Sequence, residues 1–410
     1  MRAGTVSAEA TSTSVGRRRI TLALCCLVAV LEGADILSMA FAVPKLRGEF
    51  SFTPNEIAAV LAAALVGLMA GSAYGGWLSD RIGRKKVLIG SLLALGVFSL
   101  LTTVATTFGQ FVVVRVLTGL GLGGAFPMLI AIASEASVPR FRARGVSIMY
   151  CGQPIGGVIL GMIVALGGEG FDWRNIFYIG GFGPLLLIPL LIAFLPETHR
   201  TQPSSSTSGR SGASLSQTLF GEGRTPTTLL LWVAYVFTLI AVYLILTWLP
   251  SLVVQKGFSK SEAAAITSIL NVGAALGCYV LAQMMDRGRS RAVVIVTYVA
   301  MVLSLTALAA AKGFALVAIV AAITGFFVIG GQFVLYALAP RYYPEEVRGT
   351  GVGLAVSMGR IGAICGPLLA GVLISSGLGA LGVISAVVPA VMVAGVATFV
   401  LIERYRDHFD

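Results

Sequence analysis

The sequence predicts an all-α membrane protein in which twelve transmembrane helices form two pseudo-symmetric six-helix bundles. Hydrophobic residues make up 57% of the 410 residues and charged residues only 11%, whereas a soluble domain has about one quarter charged residues. Apolar runs of about 20 residues, the length that crosses a bilayer as a helix, recur along the chain. One long polar stretch near the middle, residues 197–226, divides these runs six and six.

Each predicted span is an apolar run bounded by polar or charged residues. The spans are 19–42, 56–79, 86–106, 110–133, 145–167, 174–195, 227–250, 262–284, 292–310, 313–340, 350–373 and 379–402. The predicted organisation is therefore a disordered tail at 1–18, a first bundle at 19–195, a central loop at 196–226, a second bundle at 227–402 and a short tail at 403–410.

Basic residues are distributed unevenly between the predicted loops. With both termini in the cytoplasm, six Lys and Arg residues lie outside and two lie within spans, so 21 of the 29 lie inside. This bias is the usual determinant of membrane orientation. The net charge of +11 is thereby explained by topology, so a lipid bilayer is the expected partner and nucleic acid is not.

The first apolar run also has features of a secretory signal peptide, because Arg17–Arg19 precede it and Ala40 and Ala42 follow. Glu32 and Asp35 interrupt the run, which is longer than a signal-peptide core of about 7–15 residues. A retained first helix is therefore predicted.

The sequence offers few groups for other chemistry. All five cysteines fall in predicted spans, the two histidines fall in the central loop and the C-terminal tail, and no metal-ligand spacing joins them. No nucleotide-binding loop or hydrolytic constellation appears. The sequence therefore predicts a protein that is not an enzyme, with no metal and no cofactor, and proton transfer at membrane depth would need a carboxylate.

A weak internal repeat relates the two predicted bundles. The run DRIGR at 80–84 resembles DRGR at 286–289, an offset of 206, and the Arg-Gly pair at 144–145 resembles that at 348–349, an offset of 204. Two parallel six-helix repeats with a substrate site at their interface are one known transporter architecture.

Five ionisable residues fall within or at the edge of predicted spans: Glu32, Asp35, Arg115, Glu135 and Arg360. Each would cost about 2.5–3.5 kcal/mol at the bilayer centre, so each is a candidate functional residue that must face the protein interior, water or a partner.

Glu32 and Asp35 are three residues apart and share one face of the first helix. Burial and like charge both favour the protonated form of one of them, which suits a proton carrier. The alternative interpretation is a structural pairing with an arginine.

Arg360 lies in a glycine-rich run that lets other backbone segments approach a permanent positive charge. It is predicted to contact a substrate carboxylate, and an ion pair with the acids of the first span is the alternative. Gln153, Gln332 and Tyr336 are polar residues within spans, suited to hydrogen bonding a substrate or a neighbouring helix.

Arg115 begins the fourth span and Glu135 ends it, both nearer the membrane edge. Snorkelling and pairing at the interface explain Arg115 about as well as a functional role does. Glu135 is predicted to form a cytoplasmic gate pair.

Two groups of motifs resemble known families. Residues 76–86, GWLSDRIGRKK, resemble the signature of the major facilitator superfamily for the loop between helices two and three. Residues 31–35, 115–121, 149–156 and 330–340 resemble the aromatic acid:proton symporters of that superfamily, and the resemblance covers nearly all twelve spans. Many members have Asp where this chain has Glu32, a departure of one methylene that retains the carboxylate.

The resemblance implies proton-coupled import of an aromatic carboxylate, such as 3-(3-hydroxyphenyl)propionate, across a bacterial inner membrane by a monomer. It also implies a gating role for Asp80 and a proton-coupling or gating role for Arg115. Arg84 and Arg144 are predicted to belong to the same gate, and membrane topology alone is the alternative explanation of the basic loop at 81–86. The alternatives are a proton-coupled drug or organic-acid efflux antiporter and a non-transporting membrane sensor. The antiporter interpretation is weakened because Gln153 separates Gly152 from Pro154 where antiporters have Gly-Pro, and no signalling domain supports the sensor.

Overall fold

A computed structural model describes residues 3–136, 149–168, 170–195, 220–221, 224–287, 290–343 and 348–404. These described residues form helices and short connections, with no strand among them. Eleven of the helices found there are long and apolar enough to cross a membrane, and Gly152–Leu166 is a shorter apolar helix. The all-helical membrane fold predicted from the sequence is confirmed.

Each of the twelve predicted spans corresponds to one helix. The helices are α1 (Ala3–Phe50), α2 (Pro54–Ile82), α3 (Arg84–Thr102), α4 (Phe108–Ala136), α5 (Gly152–Leu166), α6 (Arg174–Phe194), α7 (Thr225–Gln255), α8 (Lys260–Asp286), α9 (Ser290–Ala310), α10 (Phe314–Leu338), α11 (Arg348–Ser375) and α12 (Ala380–Arg404). The first part of the predicted fifth span, 145–148, lies outside the described residues.

Helix α1 begins earlier than the sequence predicts. It starts at Ala3, whereas residues 1–18 are predicted to be a disordered tail. Adding residues to an existing helix costs far less than nucleating one, so the first span can extend helically into the preceding Ala, Ser and Thr residues.

Helix α10 contains an irregular turn. Its α-helical segments Phe314–Thr324 and Gly330–Leu338 are joined by a π-helical turn at Gly325–Ile329. At this turn the backbone comes close to α8, because a Cβ on Gly325 would overlap the carbonyl oxygen of Leu270.

The chain divides into two compact units. Unit 1 contains Met1–Ser38, Val66–Gly157 and Arg174–Arg200, and unit 2 contains Met39–Leu65, Val158–Trp173 and Thr201–Asp410. This division differs from the predicted bundles at 19–195 and 227–402, because the ends of α1, α2 and α5 pack within the unit that contains α7–α12.

Within unit 1, glycines bring specific helix pairs into close contact. A Cβ on Gly33 of α1 would overlap the backbone of Gln153 on α5, and one on Gly71 of α2 would overlap the backbone of Leu120 on α4. Small residues allow such close packing, which holds membrane helices together in the absence of a strong hydrophobic effect.

Unit 2 repeats this pattern. A Cβ on Gly362 of α11 would overlap the backbone of Val236 on α7, and one on Gly277 of α8 would overlap the backbone of Phe326 on α10. In each half of the sequence, therefore, the first helix packs on the fifth and the second on the fourth. This shared pattern agrees with the internal repeat in the sequence.

Unit 2 also contains contacts between early and late parts of the chain. Ser375 Oγ donates a hydrogen bond to Asn55 Oδ1 at 3.0 Å, and Ser261 Oγ donates one to the Ala165 carbonyl at 2.6 Å. Gly161 of α5 lies against Ser268 of α8. These contacts join α2 to α11 and the end of α5 to α8.

Candidate transport site

The two acidic residues of α1 are both buried in unit 1. Glu32 and Asp35 are each 1% exposed, and their spacing of one helical turn places them on the same face, as the sequence predicts. Close contact between Gly33 and α5 lies directly between them in sequence. The acids therefore sit where α1 has almost no room for additional side-chain atoms.

Asp35 forms an ion pair with Arg115 of α4. Arg115 Nη2 lies 3.5 Å from Asp35 Oδ2, and both side chains are 1% exposed. Arg115 Nη1 also donates a hydrogen bond to Ser38 Oγ at 3.0 Å, and Ser38 Oγ donates to the Asp35 carbonyl at 2.7 Å. Asp35, Ser38 and Arg115 thus form one buried polar cluster that connects α1 to α4.

Helices α3 and α6 complete this cluster. Ser99 Oγ lies 3.3 Å from Asp35 Oδ1 and 3.4 Å from the Phe177 carbonyl oxygen. The Arg115 guanidinium carbon lies 5.2 Å from the centre of the Phe177 ring, within the range of a cation–π interaction. The buried charge of Arg115 is therefore balanced by both a carboxylate and an aromatic face.

Glu32 has a different environment. The side chain of Gln153 on α5 is the polar group that interacts with it, yet neither Glu32 oxygen makes a hydrogen bond of normal geometry among the described residues. Glu32 also takes part in no ion pair with any of the described residues. The two acids share a helix face, but Asp35 is paired with Arg115, whereas Glu32 has no cation beside it among the described residues.

A second group of polar residues lies in unit 2 around Arg360 of α11. Arg360 Nη1 donates a hydrogen bond to Tyr243 Oη on α7 at 3.2 Å. Arg360 is partly exposed, in contrast to the enclosed Arg115. A planar guanidinium with five donors is well suited to bind a carboxylate through two parallel hydrogen bonds.

Aromatic side chains from α7 and α10 accompany this arginine. Gln332 Nε2 donates to Tyr336 Oη at 2.7 Å, and Arg360 and Tyr243 both interact electrostatically with the Tyr336 hydroxyl. The Tyr336 ring centroid lies 5.8 Å from the centroids of Tyr235 and of Phe333. Arg360, Gln332 and Tyr336, each singled out from the sequence, therefore belong to one cluster.

The residues predicted to form a gate are only partly described. Arg84 and Glu135 form an ion pair in which the side chains are 36% and 38% exposed, so the charges expected at the ends of α3 and α4 do meet. Lys85 Nζ donates to the carbonyls of Ile192 and Leu195. The Asp80 side chain and all of Arg144 lie outside what the structure describes.

One interpretation from the sequence is wrong. Snorkelling of Arg115 to the membrane interface does not occur, because its side chain is enclosed beside Asp35. Ser38, Ser99 and Phe177 were not among the site residues predicted from the sequence. Ser38 could have been found by its spacing, since it follows Asp35 by three residues, whereas Ser99 and Phe177 come from helices that only folding brings near.

An all-helical membrane fold with charged residues buried in unit 1 and a partly exposed arginine among aromatic rings in unit 2 is an arrangement typical of solute transporters. The sequence matches the family model of the Major Facilitator Superfamily over residues 24–331 and 257–409. The chain therefore belongs to the Major Facilitator Superfamily and is a multi-pass membrane transporter.

Several curated relatives are similar along nearly the whole chain. The 3-(3-hydroxyphenyl)propionate transporter of Escherichia coli K12 is 41% identical over 399 residues, covering 97% of this chain and 98% of the relative. The gallate transporter of Pseudomonas putida is 33% identical over 88% of this chain and 86% of its own. The 4-hydroxybenzoate transporter PcaK of the same species is 32% identical, with coverages of 94% and 92%.

Solved structures agree on the fold. A bacterial homologue of the human lysosomal transporter Spinster superposes with a TM-score of 0.77 at 16% identity, covering 96% of this chain and 98% of that one. A D-xylose–proton symporter superposes with a TM-score of 0.74 at 18% identity, with coverages of 94% and 97%. At these identities the similarity establishes the fold alone.

Proposed function

We propose that this protein imports an aromatic carboxylate together with protons, and that 3-(3-hydroxyphenyl)propionate is the first substrate to test. The observation that carries the proposal is the cluster in unit 2, where Arg360 contacts Tyr243 and lies beside Tyr336. The arginine can bind the carboxylate of the substrate, and the aromatic side chains can pack against the substrate ring. The relatives named above are transporters of phenolic carboxylates.

Gln332 and Tyr336 are proposed to contact the substrate directly. Their mutual hydrogen bond and the electrostatic interaction of Tyr336 with Arg360 support this proposal. A ring hydroxyl can exchange hydrogen bonds with such a pair. Gln153, by contrast, belongs to unit 1 beside Glu32, so its proposed role is with the acidic residue rather than with the carboxylate of the substrate.

Proton coupling is assigned to the acidic residues of α1. Glu32 and Asp35 are buried carboxylates at membrane depth, and the described residues contain no histidine that could replace them in a proton pathway. A carboxylate that changes protonation changes the cost of burying its site, which can bias a conformational equilibrium.

Alternating access is the proposed mechanism. The contacts of Asn55 with Ser375 and of Ser261 with Ala165 join α2 to α11 and α5 to α8, so these contacts would separate when that end of the protein opens. The Arg84–Glu135 pair, together with Asp80 and Arg144, is assigned to a cytoplasmic gate. Binding of proton and substrate would shift the population between the two states.

The proposed setting is the bacterial inner membrane, with the protein working as a monomer and both termini in the cytoplasm. The supporting observation is the excess of Lys and Arg in the loops that this orientation places inside.

The first test is uptake of radiolabelled 3-(3-hydroxyphenyl)propionate into proteoliposomes, with and without an inward proton gradient. We expect accumulation above the equilibrium level only with the gradient. Competition by unlabelled gallate and 4-hydroxybenzoate would rank the preferred ring substitution. Proton release on substrate entry would instead support the efflux antiporter, and absence of flux for every aromatic acid tested would contradict the proposal.

A further inference from the structure

We infer that the two acidic residues of α1 have separate roles: Glu32 is the residue that binds and releases the transported proton, whereas Asp35 remains ionised as the fixed counter-ion of Arg115. This assignment rests on the proposed function, which left the proton to either acid. It depends on the contacts that each acid makes within unit 1.

Among its described residues, unit 1 buries three charged side chains: one permanent cation, Arg115, and two acids, Glu32 and Asp35, each 1% exposed. An arginine does not give up its proton in a protein. A buried charge is tolerated only when it is paired, so one acid can be ionised against Arg115 and the other must be neutral while the site is closed to water.

Geometry decides which acid is ionised. Arg115 Nη2 lies 3.5 Å from Asp35 Oδ2, and Ser99 Oγ is within 3.3 Å of Asp35 Oδ1. Arg115 Nη1 also donates a hydrogen bond to Ser38 Oγ, and the Ser38 hydroxyl in turn donates to the Asp35 carbonyl. The negative charge is thus stabilised at Asp35 by groups from α3 and α4.

Glu32 has none of these groups. The groups that interact with it are the thiol of Cys25, two helical turns earlier on α1, and the side chain of Gln153 from α5. Neither is a cation, and among the described residues Glu32 takes part in no ion pair. A protonated Glu32 can donate its O–H to the Gln153 side chain, whereas an ionised Glu32 would be a buried anion without a positive partner.

During transport, the proton therefore binds to and leaves Glu32 when this site gains access to water. Opening to the outside lets Glu32 take up a proton from water, the closed state retains that proton, and opening to the cytoplasm lets Glu32 release it. Asp35 and Arg115 keep their charges throughout, so their pair positions α1 against α4 rather than exchanging protons.

The test compares Glu32→Gln with Asp35→Asn in two assays on purified, reconstituted protein. One assay measures accumulation of 3-(3-hydroxyphenyl)propionate driven by a proton gradient. The other measures exchange of labelled for unlabelled substrate without a gradient, which requires binding and conformational change but no net proton movement. Gln resembles the protonated form of Glu in shape, so Glu32→Gln mimics a permanently loaded site.

We expect Glu32→Gln to lose gradient-driven accumulation, to retain exchange near the wild-type rate, and to lose the pH dependence of exchange. Glu32→Asp, which keeps a carboxylate, should recover part of the accumulation. Asp35→Asn should lose both activities, because Arg115 is left without its counter-ion.

Gradient-driven accumulation by Glu32→Gln at the wild-type level would overturn the assignment. So would retained, pH-independent exchange in Asp35→Asn together with lost accumulation, since that result would make Asp35 the proton site. If the wild type exchanges substrate but never accumulates it under a gradient, the proposed symport itself fails, and this outcome is separate because it is seen before any variant is compared.

Discussion

The acid cluster of unit 1 and the arginine cluster of unit 2 each contain one arginine at membrane depth, but the two arginines differ in burial and in their partners. Arg115 is 1% exposed and is held by a carboxylate, a hydroxyl and an aromatic ring of its own unit. Arg360 is partly exposed and donates a hydrogen bond to the neutral phenol of Tyr243. The first arrangement pairs a buried charge with an acid of the same unit, and the second keeps part of the arginine accessible to solvent.

The comparison assigns different tasks to the two units. A charge that is enclosed and paired stabilises a particular packing of helices, and its loss should first affect folding and conformational change. A charge that solvent can reach is suited to recognition, and its loss should first affect apparent affinity.

Asp35→Asn should have the largest effect, because it removes the carboxylate and leaves Arg115 buried. Breaking a buried ion pair from one side costs about 3–5 kcal/mol. We expect a strong loss of thermal stability in detergent, measured by intrinsic tryptophan fluorescence. The double variant Asp35→Asn/Arg115→Gln should recover part of the loss because both charges are gone; equal stability of Asp35→Asn and wild type would contradict the comparison.

Arg360→Ala should reduce apparent affinity for the aromatic acid while leaving the protein folded. A hydrogen bond to a charged group contributes about 1.5–3 kcal/mol, which corresponds to a rise in KM of roughly tenfold to a hundredfold. Arg291→Ala is a matched control, because Arg291 pairs with Glu403 on the exposed surface of the same unit. Unfolding of Arg360→Ala with an unchanged KM in the folded fraction would show a structural arginine instead.

Gly33→Ala tests whether close packing positions the acids. The added Cβ would overlap the backbone of Gln153, so α1 and α5 would have to move apart, at a cost of about 1–3 kcal/mol. Gly90→Ala in α3 is the control, since a Cβ there meets nothing within 4 Å. We expect the first variant to lower both melting temperature and uptake and the second to change neither; similar behaviour of the two would exclude this role of packing.

Tyr243→Phe should have a smaller effect than Arg360→Ala. It removes one hydrogen-bond acceptor from Arg360 but keeps the ring and the positive charge, so the arginine can still bind the substrate carboxylate from a less well fixed position. Initial-rate uptake should show a KM increased by a few-fold with little change in maximal rate. A loss as large as that of Arg360→Ala would instead place the Tyr243 hydroxyl in direct contact with the substrate.

The Arg84–Glu135 pair should contribute least to stability. Both side chains are more than one third exposed, and exposed ion pairs contribute about 0–1 kcal/mol. Glu135→Gln should therefore melt near the wild-type temperature. A gating role would appear as a changed transport rate in the same variant, and the absence of any change in rate would remove this pair from the proposed gate.

Long-range pairing limited what the sequence could predict. Helix number and the face shared by Glu32 and Asp35 follow from hydropathy and helical periodicity, which are local properties. The partner of Asp35 does not, because Arg115 is 80 positions away in the sequence and its burial depends on how α4 packs on α1. The helical conformation of residues 3–18 was not predicted because their composition is polar and shows no apolar periodicity.

The unit boundaries show the same limit. The polar loop at 196–226 marks a division of the sequence, yet Met39–Leu65 and Val158–Trp173 belong to the compact unit that contains α7–α12. Which end of a helix packs with which unit depends on side-chain contacts such as that of Asn55 with Ser375. No local signal in the sequence specifies such contacts.

The number of residues in the π-helical turn of α10 determines the direction in which the polar side chains after the turn point. An α-helix advances about 100° per residue, so the extra residue accommodated by the turn at Gly325–Ile329 rotates everything that follows by about that angle. Gln332 and Tyr336 lie just beyond it. Deleting one residue within the turn would leave α10 equally apolar and nearly as long, yet would point both side chains away from their present neighbours. With the substrate-binding role proposed for this cluster, a single-residue deletion in the turn should change substrate preference more abruptly than any one substitution in the cluster.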